Sequence, residues 1–151
     1  MNVYLVHHAD AVWPAVDPQR PLSAKGVAQA ERLAAKASAA GVAPAAIWHS
    51  GKLRSRQTAE PFLRLCNPFA DFTMVRGLNP DDAPAIMRDV LLRETRDVLL
   101  VGHRPHIFAL AHVLTGDQRG VPLHGLVALE FRAETLEWVE RWRAAGEEGE
   151  L

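Results

Sequence analysis

A chain of 151 residues, 48% apolar and 23% charged, is long enough to bury a substantial core and too apolar to stay disordered. Its 17 Lys and Arg against 18 Asp and Glu leave a net charge of −1, which excludes a bulk field that gathers nucleic acid or anionic membrane; any anion site has to be local. The lone Cys66 excludes internal disulfides and a cysteine-rich metal site.

In chain order, Val3–Val6 is a short apolar, β-branched run and predicts a buried strand; it meets His7 and His8 too soon to be the apolar region of a signal peptide. From Ser23 to Ala40 the residues Val27, Ala30, Leu33, Ala34 and Ala37 recur at helical spacing, with Ser23 as N-cap and Gly41 as stop. Ala46–His49 predicts a second strand, and Leu53–Cys66 returns to the helical period through Ala59, Phe62, Leu63 and Cys66. Phe72–Val75 predicts a third strand. Asp81 or Asp82 is then placed to cap a helix with Ile86, Met87, Val90 and Leu91 on one face. Asp97–Val101 is the clearest buried strand, and Pro105 suits the first turn of a helix that turns Ile107, Leu110, Ala111 and Leu114 inward. Leu126–Phe131 and Leu136–Trp142 alternate as a hairpin around Ala133-Glu134. The acidic stretch 146–151 is expected to fray. No apolar run approaches the roughly 18 residues of a membrane helix, so the cytoplasm is the expected location.

Alternating strands and helices predict a single α/β domain over residues 1–145. The expected form is a three-layer sandwich, a mostly parallel central sheet with helices on both faces and a C-terminal antiparallel hairpin. Such sheets bind ligands outside the carboxyl ends of their strands. Here those ends read His7-His8-Ala9-Asp10, then His49-Ser50-Gly51 running into Lys52-Leu53-Arg54-Ser55-Arg56-Gln57-Thr58, then Gly102-His103-Arg104-Pro105. Imidazoles and guanidiniums at three strand ends point to an anion site with a nucleophile or proton donor. Arg54 and Arg56 also sit at the wrong helix end for the macrodipole, which a bound anion would compensate.

These segments resemble, in order and spacing, the histidine phosphatase superfamily with its phosphoglycerate mutase-like fold. That family follows one strand with Arg-His-Gly, a second with Ser-Pro and Arg-Ala-x-Gln-Thr-Ala, and a later one with Gly-His-x-Pro. This chain has His7-His8-Ala9, Arg54-Ser55-Arg56-Gln57-Thr58-Ala59 and Gly102-His103-Arg104-Pro105, and its Arg20-Pro21-Leu22-Ser23 matches a further family segment. The short connection after the second strand, with no room for a large cap, is similar to the SixA-type phosphohistidine phosphatases. The resemblance implies His8 as a nucleophile that becomes phosphorylated, Arg54 as a phosphate clamp, and His103 as a donor to an equatorial oxygen. It implies Arg20 as a further phosphate contact and Asp81 or Asp82 as proton donor to the leaving group. It implies no cofactor, and a phosphorylated protein or a small phosphate ester as partner.

One departure stands out: His7 replaces the family's first phosphate-binding Arg. A charge-assisted hydrogen bond is worth about 1.5–3 kcal/mol, so the loss has to be met by another group, His7 itself when protonated, or Lys52, Arg56 or Arg104. Ala9 in place of Gly matters only if that position needs positive φ. Two readings stay open, a working phosphatase with an altered pocket, or a weak or inactive relative that binds a phosphorylated ligand. A metal site drawing on His7, His8, Asp10, His103 and His106 is a third. His49, His112 and His124 carry no assigned role, and the tryptophans Trp13, Trp48, Trp138 and Trp142 are expected to pack in the core or at an edge, with the pocket mouth as the alternative place for Trp13.

Overall fold

The computed structural model describes residues 1–146; the expected acidic tail lies outside them from residue 147 on. Six strands and four helices follow in the order β1 (Asn2–His7), α1 (Ala24–Ala39), β2 (Ala46–His49), α2 (Leu53–Cys66), β3 (Asp71–Met74), α3 (Pro84–Arg93), β4 (Val98–Gly102), α4 (His106–Thr115), β5 (Leu126–Arg132) and β6 (Glu137–Ala144). They form one sheet of order β3-β2-β4-β1-β5-β6. β3, β2, β4 and β1 run parallel, and β5 and β6 add the antiparallel hairpin, with a bulge at Ala128/Leu129.

The pleat of β1 sorts the core. Val3 and Leu5 point to one face, where they pack with Leu100, Met87 and Leu91 of α3, and Ile107 and Leu110 of α4. Tyr4 and Val6 point to the other, with Leu33 and Ala37 of α1 and Ala59 and Phe62 of α2. This is the expected three-layer α/β sandwich; both faces of β1, β2 and β4 are covered, while β3 at the edge is largely exposed. Each fully buried Leu, Ile or Phe on these faces contributes about 1.5–3 kcal/mol of burial. Among the described residues no helix is long and apolar enough to cross a membrane.

Two local expectations are corrected. The first concerns the inward face of α1. Ser23 caps it as expected, its Oγ accepting from the Gly26 N–H at 3.0 Å. Val27, however, is 52% exposed, while Gly26 and Gln29 are buried. The first turn is rotated because the backbone of Asp10 lies against it: a Cβ on Gly26 would stand 1.9 Å from the Asp10 carbonyl oxygen. The second concerns α3, which neither Asp81 nor Asp82 caps. Its N-cap is Ala83, extended as a residue before proline must be, and Pro84 opens the helix. The Asp82 carboxylate instead accepts from the Asn79 N–H at 2.9 Å. Met87 and Leu91 are buried, but Ile86 and Val90 of the same expected face are exposed.

The contact between Gly26 and Asp10 yields a test. Gly→Ala inside a helix ordinarily stabilises by about 1 kcal/mol; at residue 26 the sign is reversed, because the methyl group meets backbone that cannot yield cheaply. Gly26→Ala is expected to lose about 1–3 kcal/mol in denaturant titration. A variant more stable than the parent would refute the close approach.

Candidate active site

The parallel strands leave the ends of β1, β2 and β4 at one edge, and the register there is Val6 beside Val101 and His49 beside Val101. Because β5 runs antiparallel to β1, with Val6 opposite Leu126, the segment entering β5 arrives at the same edge. The nucleophile candidate is tethered from both sides: the His7 N–H donates to the Gly125 carbonyl at 3.0 Å and the His8 N–H to the Gly102 carbonyl at 3.1 Å.

The His8 ring lies next to three other imidazoles, with ring centroids 4.5 Å from His7, 5.1 Å from His103 and 6.3 Å from His124. His8 Nδ1 is 2.7 Å from the Ala9 carbonyl oxygen. A carbonyl only accepts, so this nitrogen carries the proton and Nε2 keeps its lone pair. Burial first, and then the nearby Arg54, His124 and Arg20, pull the His8 pKa down to about 4, against the opposing Ala9 hydrogen bond. At neutral pH the ring is uncharged, with a lone pair on Nε2. Ala9 has no positive φ, so its side chain brings no backbone strain there.

His103 is 1% exposed, its Nε2 2.6 Å from Ser50 Oγ and its Nδ1 buried without a partner among the described residues. Burial, with His8, Arg54 and Lys52 nearby, lowers its pKa to about 3. Arg54 stands in the first turn of α2 with its Nε buried and unpaired among the described residues. Burial and the neighbouring Arg20 make its cation less favourable than usual. Arg20, at φ +50°, donates from Nε to the Val12 carbonyl at 2.9 Å, which leaves its terminal nitrogens for another acceptor. Cations and buried imidazoles that destabilise one another are a preformed socket for an anion.

His7 does not sit as a guanidinium substitute. It is 4% exposed, and its Nδ1 accepts from the His124 backbone N–H at 2.9 Å. That bond requires a bare Nδ1, so the single proton is on Nε2 and the ring is neutral. Burial, with His8, His124, Arg104 and His103 around it, drives its pKa to about 2. The protonated His7 expected from sequence is therefore replaced by a neutral N–H donor. Lys52 and Arg56 line a cleft of about 410 Å³ with Arg54. A second cleft of about 390 Å³ is lined by His8, His124, Arg20, Asp10, Trp13 and Val16. Trp13, 76% exposed, is not packed into the core and lies at that cleft, the alternative place for it. Asp81 and Asp82 do not lie there: they line a separate hollow with His106 and Pro105, and Asp82 also borders one that reaches Ser50. Among the described residues no three His, Cys, Asp or Glu side chains are grouped to hold a metal ion.

Four residues without an expected role build this edge. Ser55 Oγ donates to the Val101 carbonyl at 2.9 Å and accepts from the Ser50 N–H at 3.1 Å. Thr58 Oγ1 accepts from the Ala9 N–H at 2.9 Å and donates to the Arg54 carbonyl at 2.8 Å. Gln57 Oε1 accepts from the Leu22 N–H at 2.8 Å, which ties down the segment carrying Arg20. His124 is the fourth. The small polar residues of the Arg-Ser-Arg-Gln-Thr stretch were a signal for the first three; nothing near His124 in sequence marked it.

Among family models, that of the histidine phosphatase superfamily (branch 1) matches residues 3–79. A search of the curated proteins finds no match. Among solved structures, a protein from Agrobacterium tumefaciens assigned as the phosphohistidine phosphatase SixA superposes with a TM-score of 0.81 at 27% identity, over 95% of this chain and 97% of its own. A protein histidine phosphatase SixA complexed with tungstate gives a TM-score of 0.85 at 20% identity, over 97% of both chains. A phosphoserine phosphatase from Entamoeba histolytica in complex with 3-phosphoglyceric acid gives 0.70 at 13% identity, over 94% of this chain and 95% of its own. The last two, at such identities, show the shared fold.

Two outcomes follow. Thr58→Val keeps shape but leaves the Ala9 N–H unpaired, and is expected to cost about 1–3 kcal/mol in chemical denaturation, with Thr58→Ser restoring most of it; equal stability of Val and Thr would remove the seam. The second is pH-dependent. His7, His8 and His103 titrate at about 2, 4 and 3 when folded, against about 6.5 unfolded. Below pH ~6.5 the unfolded chain therefore binds more protons, and stability falls with pH by up to about 1.4 kcal/mol per unit for each imidazole. Thermal melts are expected to give a lower Tm at pH 5 than at pH 7.5; a flat Tm over that window would show that the rings are not buried neutral.

Proposed function

The chain belongs to the histidine phosphatase superfamily, and on that premise we propose that it is a phosphatase that removes the phosphoryl group from phosphohistidine on a protein, through a covalent phosphohistidine formed on His8. The observation that carries the reading is the tautomer of His8. With Nδ1–H spent on the Ala9 carbonyl, Nε2 is the free nitrogen, in a ring 5.1 Å from that of His103 and in the field of Arg54 and Arg20. Attack by Nε2 on phosphorus transfers the phosphoryl group to His8, and water then hydrolyses the P–N bond. Arg54 holds phosphate oxygens through its planar fork. His103, with its buried unpaired nitrogen, and His7, with its neutral Nε2–H, donate to equatorial oxygens as charge grows on them. Arg20 closes the other side.

Two features favour a protein substrate. Only four residues separate α2 from β3, so this connection carries no cap over the site. Trp13 and Val16, both 76% exposed, flank the cleft of His8 and give a macromolecule an apolar surface to rest on. A small phosphate ester also fits so open a site. The leaving imidazole of phosphohistidine is good and needs little acid help, which suits a site whose strongest groups all address the phosphate.

The alternative, a relative that binds a phosphorylated ligand with little turnover, draws on His7: a neutral donor grips a dianion less strongly than a guanidinium. One set of assays decides. The parent protein is expected to release phosphate from phosphohistidine, to lose this in His8→Ala, and to lose about 10²–10³ of it in Arg54→Ala. Phosphate release that survives His8→Ala would end the covalent mechanism, and tungstate binding without turnover in the parent would favour the binder.

A further inference from the structure

His124 enters the site from outside every motif discussed above, yet it is bonded to the nucleophile segment twice. Its backbone N–H meets His7 Nδ1 at 2.9 Å, and its ring Nδ1 lies 2.7 Å from the His8 carbonyl oxygen. Its ring stacks on His7 with centroids 5.1 Å apart and planes 16° from parallel. To do this it adopts φ +53°, a left-handed backbone uncommon outside glycine that histidine, like Asn and Asp, takes more readily than other side chains. Strain of this kind persists where the surroundings over-determine it, commonly at active sites. The carbonyl of His8 can only accept, so His124 Nδ1 carries a proton in every state, and Nε2 is the ring nitrogen free to gain or lose one. That nitrogen has no hydrogen-bond partner among the described residues, and His124 lines the 390 Å³ cleft with His8, Arg20 and Asp10.

We propose that His124 is the proton donor and acceptor for phosphate-ester substrates, which extends the reaction beyond phosphohistidine; this rests on the phosphatase reading above. In the first step His8 Nε2 bonds to phosphorus as the P–O bond to the alcohol breaks. The bonding pair leaves with that oxygen, which takes the proton from His124 Nε2. In the second step water bonds to phosphorus, its proton passes to the now neutral His124 Nε2, and the P–N pair returns to His8. The carboxylates near the site are otherwise placed. Asp10 Oδ2 accepts from Ser23 Oγ at 2.6 Å, the Asp82 carboxylate accepts from the Asn79 N–H, and Asp81 is exposed and borders a different hollow. The charged neighbours of His124 are Arg20 and Asp10 across the cleft, with Arg104 beyond His7.

The test compares leaving groups. His124→Asn keeps an amide donor for the His8 carbonyl and a side chain tolerant of positive φ, but has no titrating nitrogen. Since a general acid contributes about 10²–10⁴ in rate and acts most on poor leaving groups, the loss of kcat/KM is expected to grow from about tenfold on p-nitrophenyl phosphate to about 10³ on phosphoserine. His124→Gly, which relieves the backbone strain, is expected to show the same trend. Equal losses on both substrates would make His124 a positioning residue and overturn the assignment, as would no loss on either. If the parent protein hydrolyses neither these nor phosphohistidine, and no phosphate is retained on His8, the phosphatase reading itself fails.

Discussion

The site depends on a seam of buried hydrogen bonds between the first two turns of α2 and the ends of three strands. Ser55 joins the loop after β2 to the end of β4, and Thr58 joins α2 to Ala9, the residue after His8. Both side chains are essentially inaccessible to solvent. An unpaired buried N–H costs about 1–3 kcal/mol, so each bond penalises any arrangement in which these strand ends drift apart. The first of these turns also carries Arg54. The helix that binds the strand ends together thus also fixes a guanidinium relative to His8, and the geometry of the anion socket is inherited from the packing of the fold.

The chemistry that this socket supports follows from neutral imidazoles more than from charge. His7, His8 and His103 are all held well below the ordinary histidine range, chiefly by burial. The positive charge comes from Arg54, Arg20 and Lys52 at the rims. Such a division suits a nucleophile that must keep a lone pair while a dianion sits beside it. The tautomer of His7, locked by the His124 N–H, offers one directed neutral donor, whereas a guanidinium at such a place would offer a forked, charged pair.

Most of the frame was legible because it rests on short-range patterning. The runs at Val3–Val6, Ala46–His49 and Asp97–Val101 are strands, and the polar residues that follow them share an edge because parallel strands have no other way to end. The details that escaped depend on contacts between segments. Val27 faces outward because Gly26 admits the Asp10 backbone, and α3 begins at a proline instead of at an aspartate. His124 was illegible for a topological reason. It joins the site only through the antiparallel pairing of β5 with β1, across 116 residues of chain, and no local pattern encodes that register.

The position of β1 has a consequence for how such a site is controlled. Flanked by β4 and β5 and covered on both faces, it is an interior strand, and the amides of His7 and His8 are locked to Gly125 and Gly102. Amides of this kind exchange with solvent only when the whole domain opens. The His8 ring is therefore anchored to an interior strand, while the surface segment 10–22, which bears Trp13, Val16 and Arg20, borders the cleft from outside the sheet.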